Sequence, residues 1–155
     1  MRVFNTILYR VAGHLMRLEM AVMRYVAPPV VSGEITGDDI RALVKQFEYK
    51  YFQPIDKTYK AVTLDSLKTF LQFDRTSDYF YVKQFFDCDD FQMILAGRLK
   101  LWGMGIPSGL LFVEGHAVNV FVAEQNNELK LFKIEPQNDI ITEITGDDRI
   151  VFIVL

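Results

Sequence analysis

His116–Leu155, HAVNVFVAEQNNELKLFKIEPQNDIITEITGDDRIVFIVL, decides the fold class. Four runs in it, His116–Ala123, Leu129–Ile134, Asp139–Ile144 and Arg149–Leu155, are rich in β-branched and aromatic residues and read as strands. Asn126-Asn127 and Thr145-Gly146-Asp147-Asp148 supply the turn chemistry between them. An antiparallel sheet is therefore expected in the C-terminal third.

Upstream of that sheet the periodicity is helical. Thr36-Gly37-Asp38-Asp39 reads as a capped helix start, followed by the apolar stripe Ile40, Leu43, Val44 and Phe47. Tyr49–Ile55 ends in a proline-containing turn, and Tyr59–Val62 is a short strand candidate. Thr63 caps a second helix with Leu64, Leu67, Phe70 and Leu71 as its apolar face. Tyr79–Phe86 is aromatic and β-branched and is expected to be extended. Asp87 and Cys88-Asp89-Asp90 open a third helix whose Phe91, Ile94, Leu95 and Leu99 face inward, and Gly103–Gly109 reads as a loop. Helices first and strands second is the α+β pattern. The hexapeptide EITGDD occurs at both Glu34–Asp39 and Glu143–Asp148, which is turn chemistry used twice rather than a repeat architecture.

Met1–Ala27 is apolar but broken by Arg10, Arg17, Glu19 and Arg24, so it is too interrupted for a spanning helix or a secretory signal. Phe4, Ile7, Val11, Leu15, Leu18, Val22 and Tyr25 recur at steps of three and four, which predicts an amphipathic helix ended by Pro28-Pro29. Its four arginines against one glutamate make it basic, while the rest of the chain is acidic. Residues 1–28 are thus expected to form a helical arm and residues 29–155 an α+β domain. The arm could pack on its own domain, on a sister subunit, on a membrane surface or in a groove of a larger assembly.

With 155 residues, half of them hydrophobic, the chain is of one-domain length and able to bury a core. A net charge of −3 gives no footprint for nucleic acid. One cysteine, Cys88, and two histidines, His14 and His116, exclude an internal disulfide and a multi-cysteine zinc site. The sequence contains neither a P-loop nor a dinucleotide-binding glycine motif opening a helix, and no cofactor or metal is expected.

Cys88 falls in the first turn of its helix, where backbone N–H groups and the helix dipole favour a thiolate, although Asp87, Asp89 and Asp90 oppose it. His116, starting an apolar strand, is the candidate base. Glu135, at the end of the next strand, is placed to orient the imidazole, with Gln137 and Asn138 as alternatives. His14 reads as a surface or interface residue.

The words DCDDF at 87–91, GHAVN at 115–119 and IEPQ at 134–137 resemble the papain-like cysteine peptidase superfamily. Within it the likeness is to the protease-like C-terminal domain of the Marasmius agglutinin and its bacterial and phage relatives, over roughly residues 57–140. The resemblance implies a papain-like α+β domain, its central helix opening with the cysteine. It also implies a catalytic triad of Cys88 as nucleophile, His116 as general base and Glu135 as orienter, with Gln84 and Gln137 in support.

Two functions are expected from this. The first is hydrolysis of an amide bond in a peptide or protein substrate by the Cys-His-Glu triad. The second is a non-catalytic structural or adaptor protein, such as a phage particle component, that keeps the fold and docks through residues 1–28 as a homo-oligomer or in a larger assembly. A cytoplasmic or virion-associated location, without a secretory signal or transmembrane segment, accompanies either.

Overall fold

The computed structural model describes the backbone of residues 2–155 and the side chains of Val11 and of residues 13–155. The expected arm is a single helix, α1 (Arg2–Val26); Phe4, Ile7 and Arg10 of its predicted faces lie outside the described side chains. Next come β1 (Val31–Thr36), α2 (Gly37–Val44), β2 (Tyr49–Gln53), β3 (Thr58–Val62) and α3 (Leu64–Phe73). The chain continues through α4 (Cys88–Trp102), β4 (Ser108–Val113), β5 (His116–Gln125), β6 (Glu128–Glu135), β7 (Ile140–Glu143) and β8 (Ile150–Val154).

The class is α+β, with a corrected sheet. Six strands hydrogen-bond in the order β2-β8-β4-β5-β6-β7, and β1 pairs with β3 in a separate two-stranded sheet. Neighbours within the large sheet are antiparallel except β2 and β8, which run parallel. The expected purely antiparallel C-terminal sheet is thus a mixed one, because β2 from the helical half joins its edge. Tyr79–Phe86 is not a strand: a 3-10 turn at Thr76–Asp78 leads into tight turns with one isolated bridge between Val82 and Phe86.

Local chemistry explains the elements. Thr36 Oγ1 accepts from the Asp39 N–H while an Asp39 carboxylate oxygen accepts from the Thr36 N–H, a reciprocal capping box that starts α2. Thr63 caps α3 in the same sense, accepting from the Ser66 N–H. Asn126 and Asn127 both take positive φ between β5 and β6, the backbone that a two-residue hairpin requires.

Strand β5 is the axis of the core. Ala117 through Ala123 are all buried, because both faces of the sheet are covered. Phe121 and Ala123 face a helical layer holding Leu67, Phe70, Leu95, Leu99 and Trp102. Val118, Val120 and Val122 point the other way, into a cluster with Ile35, Ile40, Val44 and Tyr59. The period of two along β5 assigns its residues to these layers.

Candidate functional site

Helix α4 is locked to the sheet by two buried amides. Gln92 Nε2 donates to the carbonyls of Leu111 (3.0 Å) and Val118 (2.5 Å), and Asn119 Nδ2 donates back to the Gln92 carbonyl (2.9 Å) and to Gly109 O (3.2 Å). Both side chains are fully buried, so these bonds replace water that neither amide can reach. Sequence reasoning misses Gln92 altogether and meets Asn119 only as the last letter of the GHAVN word. The available signal was a polar residue set inside an apolar run, Phe91-Gln92-Met93 and Val118-Asn119-Val120.

This lock sets the start of α4 beside the start of β5. Cys88 is one helical turn before Gln92, and His116 is two residues before Val118. The later turns of α4 pack with later residues of β5, as Leu95 and Leu99 share a cluster with Phe121 and Ala123, so Cys88 and His116 lie toward one end of the sheet. The β5–β6 register pairs Asn119 with Ile134, which brings Glu135 to that end as well. There His116 Nε2 lies 2.5 Å from Glu135 Oε2. The other carboxylate oxygen, Oε1, accepts from the Gln137 backbone N–H at 3.3 Å.

The His116–Glu135 pair is half-exposed and can hold and orient one proton between ring and carboxylate. Cys88 is also half-buried and carries a free thiol. Among the described residues no hydrogen bond joins Cys88 to His116. Gln84 sits on the preceding turn with φ +67° and an exposed side chain, and its backbone N–H donates to Asp87 Oδ2 at 3.0 Å. The Asp90 carboxylate accepts from the Asp87 N–H, which closes the first turn of α4.

Asp87, Cys88 and Asp89 place one potential ligand atom each within 4.8 Å of one another. A hydrogen bond between the two carboxyl groups pulls them apart in acidity, holding Asp87 below and Asp89 above the usual carboxylate range. Asp89 is exposed and Asp87 half-buried, as acids at the positive end of a helix commonly are.

The second feature of note is α1. It is fastened to α4 near its C-terminal end: Trp102 Nε1 donates to Ala27 O, Arg24 donates to Leu101 O, and Arg98 Nη2 lies 2.8 Å from Glu19 Oε1. Met20, Met23 and Ala27 are buried against the body. His14 is exposed on this helix. The stripe predicted from spacing does not face the body, for Val11, Leu15, Leu18, Val22 and Tyr25 are 48%, 61%, 61%, 50% and 87% exposed. No helix among the described residues is long and apolar enough to cross a membrane.

No family model and no curated protein matches the chain. Solved structures do. PSL1a in complex with E64 is similar at 25% identity and a TM-score of 0.67, over 79% of this chain and 51% of that one. The lectin of Polyporus squamosus bound to the human-type influenza-binding epitope Neu5Aca2-6Galb1-4GlcNAc is similar at 24% identity and a TM-score of 0.64, over 79% of this chain and 49% of that one. This chain therefore spans about half the length of the structures it matches.

These matches correct the resemblance drawn from the DCDDF, GHAVN and IEPQ words. One of the two similar structures is named a lectin and neither is named a peptidase, so assignment to the papain-like cysteine peptidases, and with it the thiol-protease or hydrolase function, is withdrawn. The phage or virion attribution is withdrawn too, since the matches point to lectins instead.

Proposed function

We propose that this chain is a non-catalytic structural or adaptor protein that keeps an α+β fold shared with lectins and docks through α1. One observation carries the reading: the apolar stripe of α1 lies on the side away from Met20, Met23 and Ala27 and is uncovered along the described helix. An apolar helix face left in water marks an interaction site. The similar Polyporus squamosus lectin, named for carbohydrate binding, favours a binding role over hydrolysis.

Hydrogen–deuterium exchange on the full chain tests this. A helix segment with no tertiary partner opens easily and exchanges fast. Docking should slow the amides of Val11–Leu18, either in concentrated protein or on vesicles of anionic phospholipid. Fast exchange of that segment under every one of these conditions would remove the docking function.

Glycan binding is a second reading, favoured by the sialylated epitope bound in the Polyporus squamosus lectin. The surface suited to it is the aromatic turn before α4, where Phe80 and Phe85 are 88% and 85% exposed beside Tyr79 and Tyr81. Saturation-transfer NMR with the same trisaccharide should give ligand signals that Phe80→Ala abolishes. An unchanged or absent signal rejects this surface.

A further inference from the structure

Val11, Leu15, Leu18, Val22 and Tyr25 follow one another at steps of four, three, four and three residues, an average of 3.5. That is the period of a coiled-coil seam, narrower than the broad stripe with which a helix lies on lipid. The residues that fasten α1 to the body, Met20, Met23 and Ala27, occupy the opposite side of the helix. The seam can therefore be covered with no change in how the arm is held.

We infer that the partner of this seam is the α1 of a second copy of this chain, the two helices packing side by side as a short coiled coil. This rests on the docking role proposed above and names its partner. Two observations favour a second copy. The positions flanking the seam, His14 and Ala21 on one side and Glu19 and Val26 on the other, hold only one carboxylate, and that one is already paired with Arg98 at 2.8 Å. Two identical helices thus meet without an array of like charges, the usual bar to self-pairing. The area also suffices. Half-exposed to fully exposed side chains of this size offer on the order of 100 Å² each, so the seams of two copies together bury on the order of 1,000 Å², the size a specific interface needs.

Light scattering coupled to size exclusion, on the full chain over a wide concentration range, tests the inference. The weight-average mass should rise to twice the 18.0 kDa of the chain. The double substitution Leu15→Glu with Leu18→Glu should return it to the single-chain mass with the far-UV circular dichroism of the dilute wild-type monomer, because both side chains are exposed in the single chain. A wild-type chain that stays monomeric, or a variant that stays dimeric, overturns the inference. A monomer that cosediments with anionic phospholipid vesicles also overturns the second-copy partner while leaving docking through α1 in place. A monomer that neither pairs nor cosediments overturns the inference and counts against the docking role as well.

Discussion

His116 Nε2 and Glu135 Oε2 are 2.5 Å apart, joining the first residue of β5 to the last of β6. The contact occupies one ring nitrogen with a carboxylate, and among the described residues no hydrogen bond takes the ring on to Cys88. An imidazole activates a thiol only when the two are within hydrogen-bond reach in the working geometry. His116→Ala is therefore expected to leave the rate of Cys88 alkylation by iodoacetamide at neutral pH within about twofold of wild type, whereas loss of a working thiolate–imidazolium pair would slow it by orders of magnitude. Mass spectrometry of the labelled chain reads the rate. A strong slowing would restore Cys88 and His116 as a reacting pair.

Arg98 holds three elements together. Its guanidinium binds Asp74, whose carboxyl group is fully buried after α3, and Glu19 on α1. Arg98→Met leaves the Asp74 charge without its partner, which costs about 3–5 kcal/mol in comparable buried pairs. A large fall in the urea midpoint at pH 7 is expected. Adding Asp74→Leu should recover much of that loss, since it removes the stranded charge as well. If the double variant is no better than the single, the loss lies in packing and not in the charge.

Local signals in the sequence mapped well onto local structure. Thr36, Thr63 and Asp87 each stand immediately before the helix they were expected to start, and Asn126-Asn127 makes the expected hairpin turn. The His116–Glu135 juxtaposition was legible because both residues belong to one hairpin, whose register follows from a short turn. What depended on distant partners was not legible. Strand β1 exists through its ladder with β3, and β2 through a parallel pairing with β8 about a hundred residues later in the chain. Tyr79–Phe86 has strand-like composition but no ladder partner, so it folds into turns with Phe80 and Phe85 outward and Phe86 packed on Phe91. The stripe on α1 was legible as a stripe, while its facing away from the body was not, since periodicity does not say what covers a face.

Gly109, which the glycine-rich sequence puts in a loop, is the second residue of β4 and pairs with Val120 of β5. It sits in β4, where an added Cβ would lie 1.8 Å from the Val154 carbonyl oxygen of β8. The obstacle is backbone held by pairing, so no side-chain rotation relieves it. Gly109→Ala is expected to cost about 3 kcal/mol or more, at the upper end of overpacking effects. Gly97 is the control, lying within α4 with nothing inside 4 Å of an added Cβ. Gly97→Ala should stabilise by about 0.5–1 kcal/mol through helix propensity. Urea melts of the two variants should move in opposite directions, and equal shifts would refute the steric account.

Asp139 carries a pH signature of the fold. It takes φ +60° at the start of β7's approach, accepts a hydrogen bond from Ser77 Oγ at 2.6 Å, and leaves its buried Oδ1 unpaired. Burial, assisted by the nearby Asp74 and Asp78 charges and opposed by the Ser77 bond, pushes its carboxyl group above the ordinary value of 3.8. The folded chain then binds this proton more tightly than the unfolded chain does. By linkage, stability is greatest below the unfolded value and falls as pH rises through the folded one. Asp139→Asn keeps the shape, keeps an acceptor for Ser77 and suits the positive φ, yet never ionises. Its urea midpoint should exceed that of wild type at pH 7, with the gap shrinking as pH is lowered toward 3.8. A gap that stays constant across that range would show that burial of the charge is not its source.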